Sequence, residues 1–338
     1  MSSIFVYFLV DTEALINYND VNAHRRLIMN WRDHGVLVCP EESADTFKLE
    51  HKINKMPQRV KKLWQEAFRR NRKTLVRFCL PDLETLYEIE RVRDFVGKAN
   101  LLCLEHTKAD LLADMAGLGE YDGKFHPPGI EIEVVRFGDS DQSESFIQAK
   151  QFANRPIAEG EQVDNVWRER FAPFLDIYKH GALVDKYALI EHDRIIHKDD
   201  KSSKSGLFKL LSELGSHETP HSFKIISATD PLNSQTQEYF VSLLTQLLNE
   251  VNRGGIRRLE FHALNKIAFS GVYHDRFLRF EKTICTLGRG IDILSGTHIR
   301  KMCDFSVKTD EFSVKQYNEK QQQLQRQAKL SVIYDADQ

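Results

Sequence analysis

Ile4-Phe5-Val6-Tyr7-Phe8-Leu9-Val10-Asp11-Thr12 is the stretch on which the fold reading turns. Its apolar run is strand-sized and rich in β-branched and aromatic residues, and Asp11-Thr12 directly after it is helix N-cap chemistry. A buried strand running into a helix is the opening of an α/β unit. Outward from it, apolar residues keep helical spacing through Leu15, Ile16, Leu27, Ile28 and Trp31, and the pattern stops near Gly35. A second short strand follows at 36–39, before Pro40. Val60, Leu63, Trp64, Ala67 and Phe68 then recur at the spacing of one helix face. Further strand-like runs lie at 75–80, 101–104 and 130–137. This alternation predicts an α/β domain with a largely parallel sheet.

The chain has 338 residues, 41% of them hydrophobic and 28% charged, with only 17 Gly and 9 Pro. That balance excludes collagen-like, low-complexity and wholly disordered chains, and the length suits two cores. A net charge of −2 gives no global argument for nucleic-acid binding, so any such surface must be local. The longest apolar runs are far short of the roughly 20 residues that a membrane helix needs. Met1-Ser2-Ser3 offers no basic leader, and Asp11 interrupts the first apolar run. The expectation is a cytoplasmic protein without a transmembrane segment. Five scattered cysteines with no C-x-x-C pair read as buried, reduced side chains.

Turn chemistry at 138–143 and a short polar segment at 157–163 place the boundary between the two domains. The division expected is 1–155 for the N-terminal α/β domain, 156–308 for a second α/β domain, and 309–338 for a polar helical tail. Within the second domain the pattern predicts strands at 181–190, 223–228, 256–263, 267–269, 276–280 and 283–287, with helices at 206–214 and 235–252.

The richest chemistry lies at Tyr273-His274-Asp275-Arg276 and, after a hairpin, at Gly288-Arg289-Gly290-Ile291-Asp292. In a strand the period of two puts His274 and Arg276 on one face. An imidazole then lies beside a permanent cation that can hold a phosphate oxygen bidentately, and glycines flanking Arg289 let backbone N–H groups approach the same anion. These residues resemble the late signature of the phospholipase D-like superfamily, and most of all that of the C-terminal phospholipase D-like domain of microtubule-interacting and trafficking proteins. That signature is His-Asp-Arg, a hairpin, then Gly-Arg-Gly-(Leu/Ile)-Asp. An earlier Asp-x-Tyr of the family is matched by Asp185-Lys186-Tyr187, and the resemblance covers roughly residues 165–305.

The resemblance implies a phosphodiester site with His274 as nucleophile or general acid, Arg276 beside it, and Arg289, Gly288 and Gly290 around the phosphate. In catalytic relatives a His-x-Lys pair forms a phosphohistidine without a cofactor, and a second copy supplies the general acid. Here Arg276 stands in place of the Lys, and Gly288 and Arg289 stand where active members carry Gly-Ser and Asn. A second His-Asp-Arg occurs 82 residues earlier, and its His192 and Arg194 are candidates for the other half of the site. The charged run that follows it reads as a solvated loop. The alternative source of a second imidazole is another copy of the chain, hence a homodimer.

In the first domain, Asp11, Glu42, Asp110 and Asp139 follow successive strands, and such acids can converge at the C-terminal edge of a parallel sheet. This layout resembles PIN-type nucleases, which would use Mg²⁺ or Mn²⁺ there. Residues 48–73 carry ten basic side chains against two acids. Arg59, Lys61, Lys62, Arg69 and Arg70 are therefore candidate nucleic-acid contacts. Trp64 and Phe68, at helical spacing, read instead as core. The functional expectation is a phosphodiester-recognising nuclease, or a nuclease-associated component of a bacterial defence or nucleic-acid-processing system with protein partners. The alternatives are a non-catalytic phospholipase D-like scaffold for a protein partner or an anionic lipid, and a metal-dependent PIN-like nuclease in the N-terminal domain.

Overall fold

The computed structural model describes the chain apart from residues 1–2, 18, 41–48, 50, 81–82, 84–85, 200–204, 230–233, 270–275 and 338. It divides into two compact units, Met1–Phe152 and Ala153–Gln338, and both are α/β. His274 and Glu42 lie outside the described residues.

In the first unit the opening stretch forms β1 (Val6–Val10), followed by α1 (Thr12–Asn17) and α2 (Val21–His34). The remaining strands are β2 (Gly35–Pro40), β3 (Leu75–Phe78), β4 (Leu101–Leu104), β5 (Lys124–Phe125) and β6 (Glu133–Arg136). Between them lie α3 (Gln58–Arg70) and α4 (His106–Met115), and α5 (Glu144–Phe152) closes the unit. The sheet order is β3-β2-β1-β4-β6-β5, parallel throughout except for the β5–β6 pair.

The strand period of two explains why β1 is central. Val6, Phe8 and Val10 pack into one core with Trp31 and Trp64, while Leu9 packs into the other with Phe95 and Leu112. Each such side chain stabilises the fold by about 1.5–3 kcal/mol on burial. Where α2 turns directly into β2, a Cβ on Gly35 would come within 2.6 Å of the Trp31 Cα and 2.8 Å of the Phe8 ring. Trp64 is 1% exposed, and its Nε1–H donates to Nδ1 of buried His24 at 3.0 Å. Phe68 packs edge-on against Trp31. The aromatic residues of the basic helix are therefore core.

The second unit begins with α6 (Val163–Arg170) and α7 (Ala172–Ile177), then β7 (His180–Val184), α8 (Ala188–Asp199) and α9 (Gly206–Ser216). After these come β8 (His221–Thr229), α10 (Ser234–Val251), β9 (Ile256–Asn265) and the hairpin β10 (Arg276–Phe280) and β11 (Thr283–Leu287). The chain continues through β12 (Phe305–Lys308), α11 (Glu311–Arg326) and β13 (Leu330–Asp335). The sheet order is β12-β11-β10-β7-β8-β9-β13. Strands β7, β8 and β9 are parallel to one another, and the flanking pairs are antiparallel.

Several expectations change. The strand expected at 181–190 stops at Val184, because Asp185 turns the chain by accepting the Tyr187 N–H at 2.9 Å, and α8 follows. The second His-Asp-Arg is thus on a helix and not in a loop. Residues 267–269 form part of a 3-10 turn rather than a strand. The segment 309–338 is not a separate polar tail: Tyr317 and Leu324 of α11 are buried in the core and β13 extends the sheet alongside β9. Within this unit Ile157 and Cys303 exchange backbone hydrogen bonds of 2.9 and 3.0 Å.

Candidate phosphate-binding site

Three segments meet at the C-terminal edge of the parallel strands in the second unit. Asp185 follows β7, and Phe277 pairs with Val184, so Arg276 enters β10 at the same edge. Arg276 also pairs with Leu287, which puts Gly288 just beyond the end of β11. Open α/β sheets place their ligands along such an edge.

Asp185 joins the three. It is 2% exposed, its Oδ1 accepts from the Tyr187 N–H at 2.9 Å, and its Oδ2 accepts from the Ile291 N–H at 2.7 Å. Arg276 Nε lies 3.9 Å from Oδ1. Burial pushes the Asp185 carboxyl above its ordinary range, against the opposing pull of the two backbone donors and Arg276. The Arg276 guanidinium stands 4.9 Å from the centre of the Tyr187 ring, and Lys186 Nζ stands 5.5 Å from it. Held at its Nε side by Asp185 and along the ring by Tyr187, Arg276 still has 27% of its side chain exposed. A guanidinium fixed in this way is preorganised to bind an oxyanion through two parallel N–H groups.

The glycines serve another purpose than the one expected. The Gly288 N–H donates to Asp304 O at 3.0 Å, and the Arg289 N–H donates to Cys303 Sγ at 3.4 Å. With the Ile291 N–H on Asp185, these backbone donors are engaged inside the protein and do not face a ligand. Gly290 has φ +71°, and a Cβ there would fall 2.1 Å from Asp185 Oδ2. Its lack of a side chain admits the buried carboxylate. Arg289, the residue before Gly290, is half-buried. Asp292 accepts from Ser295 Oγ at 2.7 Å, and Ser295 Oγ accepts from the Gly206 N–H at 2.8 Å, which fixes the turn to the start of α9.

His192 and Arg194 do not complete this site. His192 is fully buried, and its Nδ1 bonds to Oγ of Ser205, the N-cap of α9, at 2.6 Å. Burial lowers its pKa to about 4, so the ring is neutral near pH 7. Arg194 is exposed on α8 and paired with Glu191 at 2.6 Å.

The expected acidic cluster of the first unit is also rearranged. Asp11 is 0% exposed and receives the Lys108 ammonium at 2.8 Å, while the same Nζ donates to Leu83 O at 2.9 Å. Asp110 is taken by Arg136 at 2.7 Å and by the Tyr121 hydroxyl. Asp139 packs against Gly123. Among the described residues, His, Cys, Asp and Glu nowhere gather as a set of three suited to a metal ion. Reading the acids alone misses Lys108, although its spacing from Ala109, Leu112 and Ala113 puts it on the stripe that α4 buries.

On α3 the basic candidates lie outward. Arg59, Lys62, Arg69 and Arg70 are exposed, and Lys61 is half-buried and reaches Asn54 O at 3.4 Å. Arg69 and Arg70 both grip Glu66 and pull its carboxyl down to about 2.

No family model matches the chain, and no curated protein does. Among solved structures it is similar to that of TrmBL2, an archaeal chromatin protein whose structure shows a novel mode of DNA binding. That similarity has 15% identity and a TM-score of 0.26 over 66% of this chain and 81% of that one, an overlap too slight to bear on fold or function. Among the described residues, no helix is long and apolar enough to cross a membrane.

Proposed function

We propose that the second unit binds a phosphodiester of nucleic acid at the C-terminal edge of its sheet, with Arg276 as the principal phosphate ligand and Arg289 as an outer contact. The observation that carries this reading is the buried Asp185, which ties Arg276 and the Gly288–Asp292 turn to one edge and so presents a fixed guanidinium to solvent. The resemblance to phospholipase D-like proteins adds hydrolysis through His274. In that scheme the imidazole attacks phosphorus, an ester oxygen leaves as an alcohol with a proton from a general acid, and water then releases the phosphate and regenerates the imidazole.

Binding without turnover is the second reading. It draws on two observations: Arg276 stands where active relatives have Lys, and buried His192 offers no second imidazole to the site.

Anisotropy with a labelled oligonucleotide separates these readings. Arg276→Ala should weaken binding on the order of tenfold or more, and wild-type affinity should fall as salt rises. His274→Ala should retain binding and abolish cleavage in the presence of EDTA. An Arg276→Ala variant that binds like wild type would overturn the proposal, and wild-type binding with no cleavage would establish the second reading.

A further inference from the structure

Resting on the phosphodiester reading, we infer that the ligand is single-stranded nucleic acid, recognised by Tyr187 and Arg276 acting as a stacking pair. The two side chains come from separate segments, one just after β7 and the other at the first residue of β10, and Asp185 holds both: its Oδ1 accepts the Tyr187 N–H at 2.9 Å and lies 3.9 Å from Arg276 Nε. The guanidinium is 4.9 Å from the ring centre, and Lys186 Nζ is 5.5 Å from it. Tyr187 is 36% exposed, so part of the ring flanked by the two cations faces solvent.

Such a pair offers a ligand two things at one place. The guanidinium edge takes an oxyanion, and the exposed part of the ring takes a π-face. A nucleotide carries both partners, a phosphate and an aromatic plane. In a duplex the planes are already stacked on one another, so the platform would meet only backbone. In a single strand each base is free to stack, whatever its identity. A phospholipid brings the phosphate but no plane and leaves the ring of Tyr187 unused. Lys186, next in the chain to Tyr187, adds a second positive charge that suits a neighbouring phosphate of the same strand.

The test uses the full chain and three probes: a labelled thymidine 20-mer, a duplex of the same length, and phosphatidylserine-containing vesicles. Wild type should favour the single strand. Tyr187→Leu should weaken single-strand binding on the order of tenfold and duplex binding by a clearly smaller factor, since the duplex loses only the ring's support of Arg276, while Tyr187→Phe keeps the wild-type affinity. Equal weakening on both nucleic acids, no weakening, or a preference for vesicles would overturn the inference. Arg276→Ala distinguishes it from the reading it rests on. Loss of all phosphate probes in Arg276→Ala together with a silent Tyr187→Leu overturns the stacking role alone, and a silent Arg276→Ala overturns both. Thermal unfolding curves of Tyr187→Leu that match wild type show that its loss of binding is not a loss of fold.

Discussion

Gly290 approaches Asp185 so closely that a methyl group at that position would fall 2.1 Å from Oδ2 and 2.6 Å from the Arg276 Cδ. The positive φ of +71° adds a backbone reason for glycine. Gly290→Ala should therefore cost about 2–4 kcal/mol, combining the left-handed penalty with displacement of a buried carboxylate. Gly296, with φ +82° and room for a Cβ that would come no nearer than 3.8 Å to Arg300 Nη2, is the control. Gly296→Ala should cost only the backbone component, about 1 kcal/mol. Urea unfolding of the two variants measures the difference.

Lys108 and Asp11 form a pair in which the side chains are 3% and 0% exposed. Lys108→Met leaves a buried carboxylate without its cation and should destabilise the first unit by about 3–5 kcal/mol. Adding Asp11→Asn removes the stranded charge and should recover much of that loss. A double-mutant cycle by denaturant unfolding checks this, and a double variant no more stable than Lys108→Met would show that packing, not charge, sets the cost.

Two histidines of the second unit make its stability fall on acidification. Burial lowers both His192 and His221 from the ordinary 6.5 to about 4. Their folded pKa values lie below the unfolded one, so the unfolded chain binds more protons between those limits. The contribution is fully present above pH 6.5 and is lost as pH falls toward 4, at about 1 kcal/mol per pH unit for each ring. In the folded state the His221 ring lies 3.0 Å from His217, whose Nε2 faces Asp176 at 3.1 Å. His192→Gln should reduce the slope of unfolding free energy against pH by about 1 kcal/mol per pH unit across this window, leaving the share of the other buried histidines.

Thiol reactivity should be sharply divided. Cys79 is exposed, whereas Cys39, Cys103, Cys285 and Cys303 are buried. Burial pushes the Cys39 thiol up to about 12 and raises the other three as well. An aromatic disulfide reagent should label one thiol quickly in the native protein and all five after unfolding.

The first sheet was legible because β1 alternates between two cores and its end is marked by a capping acid, so local pattern and tertiary role agree. The end of β7 was not legible. Ala188, Leu189 and Ile190 are as apolar as a strand, and the turn rests on Asp185 accepting both the Tyr187 N–H and, from far along the chain, the Ile291 N–H. β13 was missed for a similar reason: its neighbour β9 lies far back in the chain, and a half-exposed edge strand after a polar helix has little pattern of its own. At the candidate site, residue identity located Arg276, Asp185 and the glycines, but it could not say which N–H groups the protein itself would use. The acids of the first unit were read one strand at a time, which hid the lysine that faces Asp11 from a helix 97 residues away.

That lysine decides how the buried carboxylate at the end of β1 relates to its surroundings. A cation from solution occupies a site according to its concentration and leaves when a chelator competes for it. The Lys108 ammonium is delivered by the chain itself, at an effective concentration fixed by folding rather than by the medium. Its charge stays with Asp11 under any ionic composition that leaves the unit folded, and a free ion can enter only by displacing a competitor that cannot diffuse away.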